Sequence, residues 1–255
     1  MLLEDRCAET SVADGTPEAP SIKDRSYPPH WYETMTRTRE LDGKTTARLL
    51  GIAIQVGALV PLALLLWDYW LGQLGADPIR EITSRTGKPA LILLGFSLAC
   101  TPLNIMFGWT QPTRLRKPLG LYSFLYASLH VLTFLWLDYG LDPGLIAEVV
   151  LQKRYALAGG AAFLLLVLLA ATSNRWSKRK LGKRWKELHR LAYVIGVLAA
   201  VHFLWLVKNA YTEPLIFAAI LGMLLLIRVK PIRQKIACWR HELKEKSVGR
   251  SASVV

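Results

Sequence analysis

Cysteine is scarce and scattered: Cys7, Cys100 and Cys238 stand far apart, with no CxxC pair. An odd, dispersed set supports neither a disulfide framework nor a zinc or iron–sulfur centre. Cys100, inside an apolar run, reads as a small core hydrophobe. A Gly-rich phosphate loop is also missing, because GLDPG and LAGGAA have neither the spacing nor a strand before them. No Ser–His–Asp or Cys–His arrangement is legible, and no loop is long enough to be a soluble domain. A self-contained dehydrogenase is thereby excluded. The first residues lack an early apolar core and a cleavage site, so they do not read as a signal peptide. Acidic residues are few, 19 Asp and Glu against 32 Lys and Arg, for a net charge of +13. In a soluble protein that balance would point to nucleic acid. Here the cations gather between and after long apolar runs, which is how membrane topology is written, and a nucleic-acid partner is set aside.

What the chain has in quantity is apolar residues, 52% of the sequence, with nine tryptophans. Six apolar segments of roughly spanning length follow one another: 47–70, 89–109, 119–137, 155–172, 188–207 and the shorter 214–229. The expected fold is therefore all-α, a polytopic bundle of six transmembrane helices. Residues 1–46 are polar and expected to be loose, residues 47–230 form the membrane domain, and 231–255 a basic tail. Pro61 should kink the first helix, which a membrane helix tolerates when neighbours satisfy the freed carbonyl. The small residues of 158–162 suit a close helix approach. Trp67, Trp70, Trp109, Tyr139, Trp176, Trp205 and Tyr211 fall at segment ends, as an interfacial belt requires. Counting loop by loop, 26 Lys and Arg fall on the side of the two termini and six on the other. The positive-inside rule then places both termini in the cytoplasm.

Ionisable side chains within the bilayer are costly and by default mark a function. Three histidines qualify: His130 in the third segment, His189 and His202 in the fifth. A neutral imidazole is the commonest protein ligand for a metal or haem iron, so these three are read as haem ligands. Counted from the preceding basic loops at about 1.5 Å per residue, His130 is within ~6 Å of His202 in depth but ~14 Å from His189. His130 and His202 are therefore expected to face each other across one haem, nearer the outer side. His189 lies near the cytoplasmic face, and roughly 140° around an ideal helix from His202. It is left as either a haem ligand without a strong partner or part of a site for a different cofactor. One intramembrane histidine would be accounted for by a hydrogen bond to a neighbouring helix; a depth-matched pair on parallel helices points further. His30, in the polar YPPHWY, reads as solvated, as do Asp138, Asp142 and Glu148 on the outer side. The basic loop RWSKRKLGKRWKELHR suits anionic lipid headgroups, and equally a flavin phosphate or haem propionates.

The strings TGKPALILLGFSLACTPL, RKPLGLYSFLYASLH, ATSNRWSKRKLGKRWKELHRLAY and VHFLWLVK resemble the MsrQ family, formerly YedZ, within the ferric-reductase-like transmembrane group. The resemblance runs from about residue 74 to 228. It implies a haem b carrier with one or two haems in a bacterial inner membrane, multi-pass, with FMN associated with the family as well. It implies electrons arriving from the quinone pool or a cytosolic flavin reductase. They would leave for a periplasmic molybdopterin methionine-sulfoxide reductase (MsrP-like) that repairs oxidised proteins, so the chain would be a non-catalytic electron-transfer subunit. The family's three histidines map onto His130, His189 and His202. Two departures stand out: Arg116-Lys117-Pro118 before the third helix, and Lys153-Arg154-Tyr155 where the family usually has Arg-Pro-Tyr. A complete ferric reductase or oxidase would carry a flavin and nicotinamide domain after the last helix, and only a short stretch follows Val229. A small transporter would need broken helices in two matching halves, at which only Pro61 hints.

Overall fold

A computed structural model of the chain describes residues 30–207, 211–236 and 238–239, with side chains from residue 49 onward. Regular structure among the described residues is helical throughout. Contacts divide the chain into two units, Met1–Leu50 with Lys235–Val255, and Gly51–Gln234; the membrane helices and every site below belong to the second. The helices are α1 (His30–Trp70), α2 (Pro78–Phe107), α3 (Gln111–Leu132), α4 (Pro143–Gln152) and α5 (Arg154–Ala171). They continue with α6 (Arg175–Leu181), α7 (Lys183–Leu188), α8 (Leu191–Leu206) and α9 (Thr212–Leu226). Among the described residues five spans are long and apolar enough to cross a membrane: Leu49–Trp70, Pro78–Phe107, Gln111–Asp138, Arg154–Ala171 and Lys183–Leu206. A sixth is reached only by joining Thr212–Leu226 to Lys230–Ile236 across a 76° bend.

Several boundaries differ from the sequence reading. Residues 1–29 and 240–255 lie outside the described ones, and so does the side chain of His30. From His30 to residue 46 the backbone is helical rather than loose: Glu, Arg, Lys, Met and Leu propagate a helix readily once it is nucleated. α2 begins well before Pro89 because Asp77 and Pro78 start it. The Asp77 carboxylate accepts from the Arg80 N–H at 3.1 Å, and proline sits in the first turn, where it costs no hydrogen bond. Arg85 pairs with Asp68 of α1 and, at 2.7 Å, with Glu81, which keeps this polar first part of the helix folded. α3 starts at Gln111 because Gly108, at φ +72°, ends α2 and turns the chain back within a few residues. The fifth segment is not one helix: it breaks at His189 and Arg190, between α7 and α8. α4 was not anticipated. It is capped by Asp142, which accepts from Gly144 N–H at 2.8 Å and Leu145 N–H at 3.1 Å, and it buries no residue.

Prolines inside the spanning helices explain two long-range contacts. Pro61 leaves α1 without one ladder donor, and Tyr126 of α3 enters at that point. Its fully buried hydroxyl donates to Ala58 O at 2.6 Å and accepts from Leu62 N–H at 3.0 Å, two groups that an unbroken helix would pair with each other. Pro102 likewise cannot donate to Leu98 O, four residues earlier, and the Arg228 guanidinium beyond α9 donates to that carbonyl instead. Arg228 also lies over the Tyr193 ring at 4.7 Å, while its Nε and Nη1 are buried with no hydrogen-bond partner among the described residues.

α2 packs chiefly on α3, and α5 on α8, with α9 against α8 and α3 against α5. One core joins Leu94 and Leu98 of α2, Ala162, Leu166 and Leu169 of α5, Ile195 and Ala200 of α8, and Leu221 of α9. A second joins Ala58, Leu93, Cys100, Leu119 and Tyr126. Cys100 behaves as the expected small hydrophobe, its thiol donating to Phe96 O at 3.2 Å. Outside these cores the helices present a broad apolar surface, including Trp67, Trp70, Trp109, Trp136 and Trp205, far more than water would accept.

Candidate functional site

His130 lies near the end of α3 and His202 near the end of α8, so each sits on the second helix of one of the two main pairs. Their ring centres are 6.2 Å apart and their planes are 88° to each other. A histidine nitrogen stands about 2.0 Å from a metal it binds and about 1.1 Å from its own ring centre, so two imidazoles on opposite sides of one metal atom would have centres about 6.3 Å apart. The observed spacing matches that value.

Each ring is oriented by the backbone of its partner helix. His130 Nδ1 is 2.9 Å from Thr83 O of α2, and His202 Nδ1 is 2.7 Å from Tyr155 O of α5. A carbonyl can only accept, so Nδ1 carries the proton in both rings and Nε2 keeps the lone pair. Second-shell bonds of this kind fix the tautomer and increase ligand basicity. The rings also rest on glycines. A Cβ at Gly87 would stand 2.9 Å from His130 Nδ1, and one at Gly159 would stand 2.6 Å from His202 Nδ1. Three residues beyond His130 the helix widens into a π-helical turn, Thr133–Asp138, a feature common where a helix carries a function.

Among the described residues, no group of three or more His, Cys, Asp and Glu could hold a metal ion. The protein offers this place two neutral nitrogens and no charge, which is half the donor set or less that a bare ion takes. A planar macrocycle bringing four equatorial nitrogens of its own completes such a set, and haem is the group of that kind that takes axial histidines. The residues present therefore fit haem.

His189 is placed elsewhere. Its ring stacks on Trp185 with centres 3.9 Å apart, Nδ1 is 3.1 Å from Trp185 O, and Nε2 is 3.4 Å from Ser173 Oγ. Ser173 follows the end of α5, whereas Tyr155, which meets His202, begins it, so the two sites lie roughly 25 Å apart along that helix. The structure thus brings His130 and His202 together and leaves His189 at the opposite end. Next to it, Trp185 Nε1 donates to Thr172 O at 3.0 Å. Thr172 also borders a cavity of about 660 Å³ lined by Trp176, Lys180, Lys183 and Arg184 among others. The basic loop of the sequence is thereby gathered around a concave surface.

Thr83, Gly87, Tyr155, Gly159, Tyr126 and Arg228 escaped the sequence reading as contributors to the site or its frame. The glycines carried a signal: each stands four residues after the carbonyl that its histidine meets, and each histidine follows that carbonyl's residue by 47 positions. The smallness of 158–162 was legible, but it serves a ring as well as a helix.

Residues 86–200 match the model of the ferric reductase like transmembrane component family. Curated relatives named protein-methionine-sulfoxide reductase heme-binding subunit MsrQ are similar over most of the chain. That of Rhodospirillum rubrum is 45% identical over 189 residues, covering 74% of this chain and 91% of the relative. That of Bordetella pertussis is 42% identical over 204 residues, covering 77% and 95%. That of Deinococcus radiodurans is 44% identical over 183 residues, covering 71% and 90%. No solved structure matches the chain significantly. The apolar spans and the transmembrane family together make this a multi-pass membrane protein.

Proposed function

The chain belongs to the MsrQ family of protein-methionine-sulfoxide reductase subunits, and from that premise we propose that it carries one haem b between His130 and His202 and passes electrons across the bacterial inner membrane. The observation that carries the reading is the pair of imidazoles 6.2 Å apart, each tied by Nδ1 to a carbonyl of another helix. When bound, haem supplies a one-electron ferric/ferrous couple. The chain's residues do the rest. His130 and His202 would hold the haem iron through Nε2, and Thr83 O and Tyr155 O accept from Nδ1–H, which fixes the tautomer that leaves the Nε2 lone pair free. Leu94, Leu166 and Ile195 fill the interior with apolar side chains that keep water out of the space between the two ends.

The charge asymmetry puts the histidine pair toward the periplasm and His189, with the basic cavity, toward the cytoplasm. Electrons enter on the cytoplasmic side or from the quinone pool and leave outward to a periplasmic molybdopterin methionine-sulfoxide reductase. Lys180, Lys183 and Arg184 beside Trp176 offer cations and an aromatic face to a flavin such as FMN, or to an anionic lipid. The test is a reduced-minus-oxidised difference spectrum of the purified protein with haem and protein quantified, followed by reconstitution in vesicles with quinol, or with a flavin reductase and NADH. The expected results are a low-spin b-type spectrum at one haem per chain, reduction by either donor, and no NADH oxidation by the chain alone. A haem-free protein, or one that oxidises NADH unaided, would refute the reading.

A further inference from the structure

We propose that the two histidines are held by two copies of one clamp, and that Gly87 and Gly159 are positioning residues that set where the rings stand. The proposal rests on the reading of His130 and His202 as axial ligands of one haem. In each clamp the first helix supplies a carbonyl and, one turn later, a glycine: Thr83 and Gly87 on α2, Tyr155 and Gly159 on α5. In each, the histidine comes 47 residues after the carbonyl, on the helix that packs back against the first. Buried Leu94 and Leu166 stand at matching places in the two first helices, and buried Ser123 and Ile195 in the two second ones. The four helices therefore form two similar hairpins meeting at the histidines, with the haem on the approximate two-fold between them.

The glycines act by what they lack. A Cβ at Gly87 would stand 2.9 Å from His130 Nδ1 and 3.1 Å from Cε1. At Gly159 the distances to His202 Nδ1 and Cε1 are 2.6 and 2.8 Å. Both are inside van der Waals contact, and the contacted atom is the one fixed to a carbonyl of the same helix. A ring pushed away loses that hydrogen bond or turns about it, and either change reaches the iron through Nε2. The tighter contact makes Gly159 the more sensitive position. Gly160, with nothing within 4 Å of its would-be Cβ, is an adjacent control on the same helix.

Perpendicular axial imidazole planes give ferric haem a strongly anisotropic low-spin EPR signal, and parallel planes a rhombic one, so the signal reads ring orientation directly. In the purified full chain loaded with haem, Gly159→Ala should shift this signal or convert part of it to high spin. Gly87→Ala should do so to a smaller extent, and Gly160→Ala should leave it unchanged. Equal spectra for Gly159→Ala and Gly160→Ala would overturn the proposal. A haem-independent arm separates its failure from that of the haem reading. In apoprotein, Gly159→Ala should lower the melting temperature when His202 is present and raise it in the His202→Ala background, where alanine only favours the helix. The same effect in both backgrounds would overturn the positioning role whatever the haem content. Wild type without a low-spin signal would overturn the ligand assignment and the proposal with it.

Discussion

Removing either member of the histidine pair should be as damaging as removing both. The rings are 6.2 Å apart, one metal atom's span, and among the described residues no third imidazole is near enough to substitute. His189, at the break before α8, is 13 positions from His202, which corresponds to ~20 Å along the span. Losing a partner of a ligand, one shell out, already costs 10–100-fold in metal affinity as a rough guide; losing a ligand should exceed that. His130→Ala and His202→Ala should therefore each reduce haem affinity by more than about 100-fold, equivalent to more than about 2.7 kcal/mol. Each should abolish the six-coordinate low-spin spectrum. Residues sharing one partner are not additive, so His130→Ala/His202→Ala should show no further loss of that spectrum. The assay is haem titration of apoprotein in detergent, with absorbance and EPR following spin state. If each single variant kept half of the low-spin signal and the double variant lost all of it, two separate sites would be present and the shared-iron geometry would be refuted.

Two further outcomes follow from contacts elsewhere. His189→Ala should keep the low-spin haem signal at wild-type occupancy and slow only reduction from the cytoplasmic side, measured by stopped-flow in vesicles; loss of all haem would mean that His189 is a ligand of the main site. Arg228→Met should destabilise the protein by about 1–3 kcal/mol by leaving Leu98 O without a donor, and adding Pro102→Ala, which restores the helical N–H, should recover most of the loss in thermal melts. No recovery would show that Arg228 stabilises the fold by some other route.

The sequence displayed the spans because apolar length is a one-dimensional property, and it displayed the histidine pairing because depth is too. His130 and His202 could be matched by counting residues from basic loops, since α3 and α8 rise at the same rate from the same side. Features that needed a second dimension were not legible. Thr83 and Tyr155 contribute a carbonyl, which every residue has, so nothing in their side chains marked them. Tyr126 and Arg228 read as an interior aromatic and a tail cation. Only the packing shows that each meets a helix where proline has removed a donor, Tyr126 beside Pro61 and Arg228 opposite Pro102. The break at His189 was invisible for a different reason. The residues on either side, Leu188, Arg190 and Leu191, are good helix formers, and it is the tertiary contacts of Trp185 and His189 with the end of α5 that accompany the turn there.

That break also bears on how many haems the fold can hold. By residue number, the spacing of the two clamps sets positions of α3 against positions of the fifth span, up to and beyond its break. Thirteen residues before His202 stands His189, and thirteen before His130 stands Lys117. At one end the two copies present imidazole to imidazole, whereas at the other the register sets a histidine against a lysine. Lysine is not among the usual axial ligands of haem iron, and His189 is already engaged by Trp185 and Ser173. Its ring is stacked on Trp185, while Lys180, Lys183 and Arg184 gather with Trp176 around a separate concave surface that Thr172 borders. The approximate two-fold is thus kept at the His130–His202 pair. It is broken at the His189 end, and under the proposed function that asymmetry favours a single haem per chain and a different partner at the cytoplasmic end.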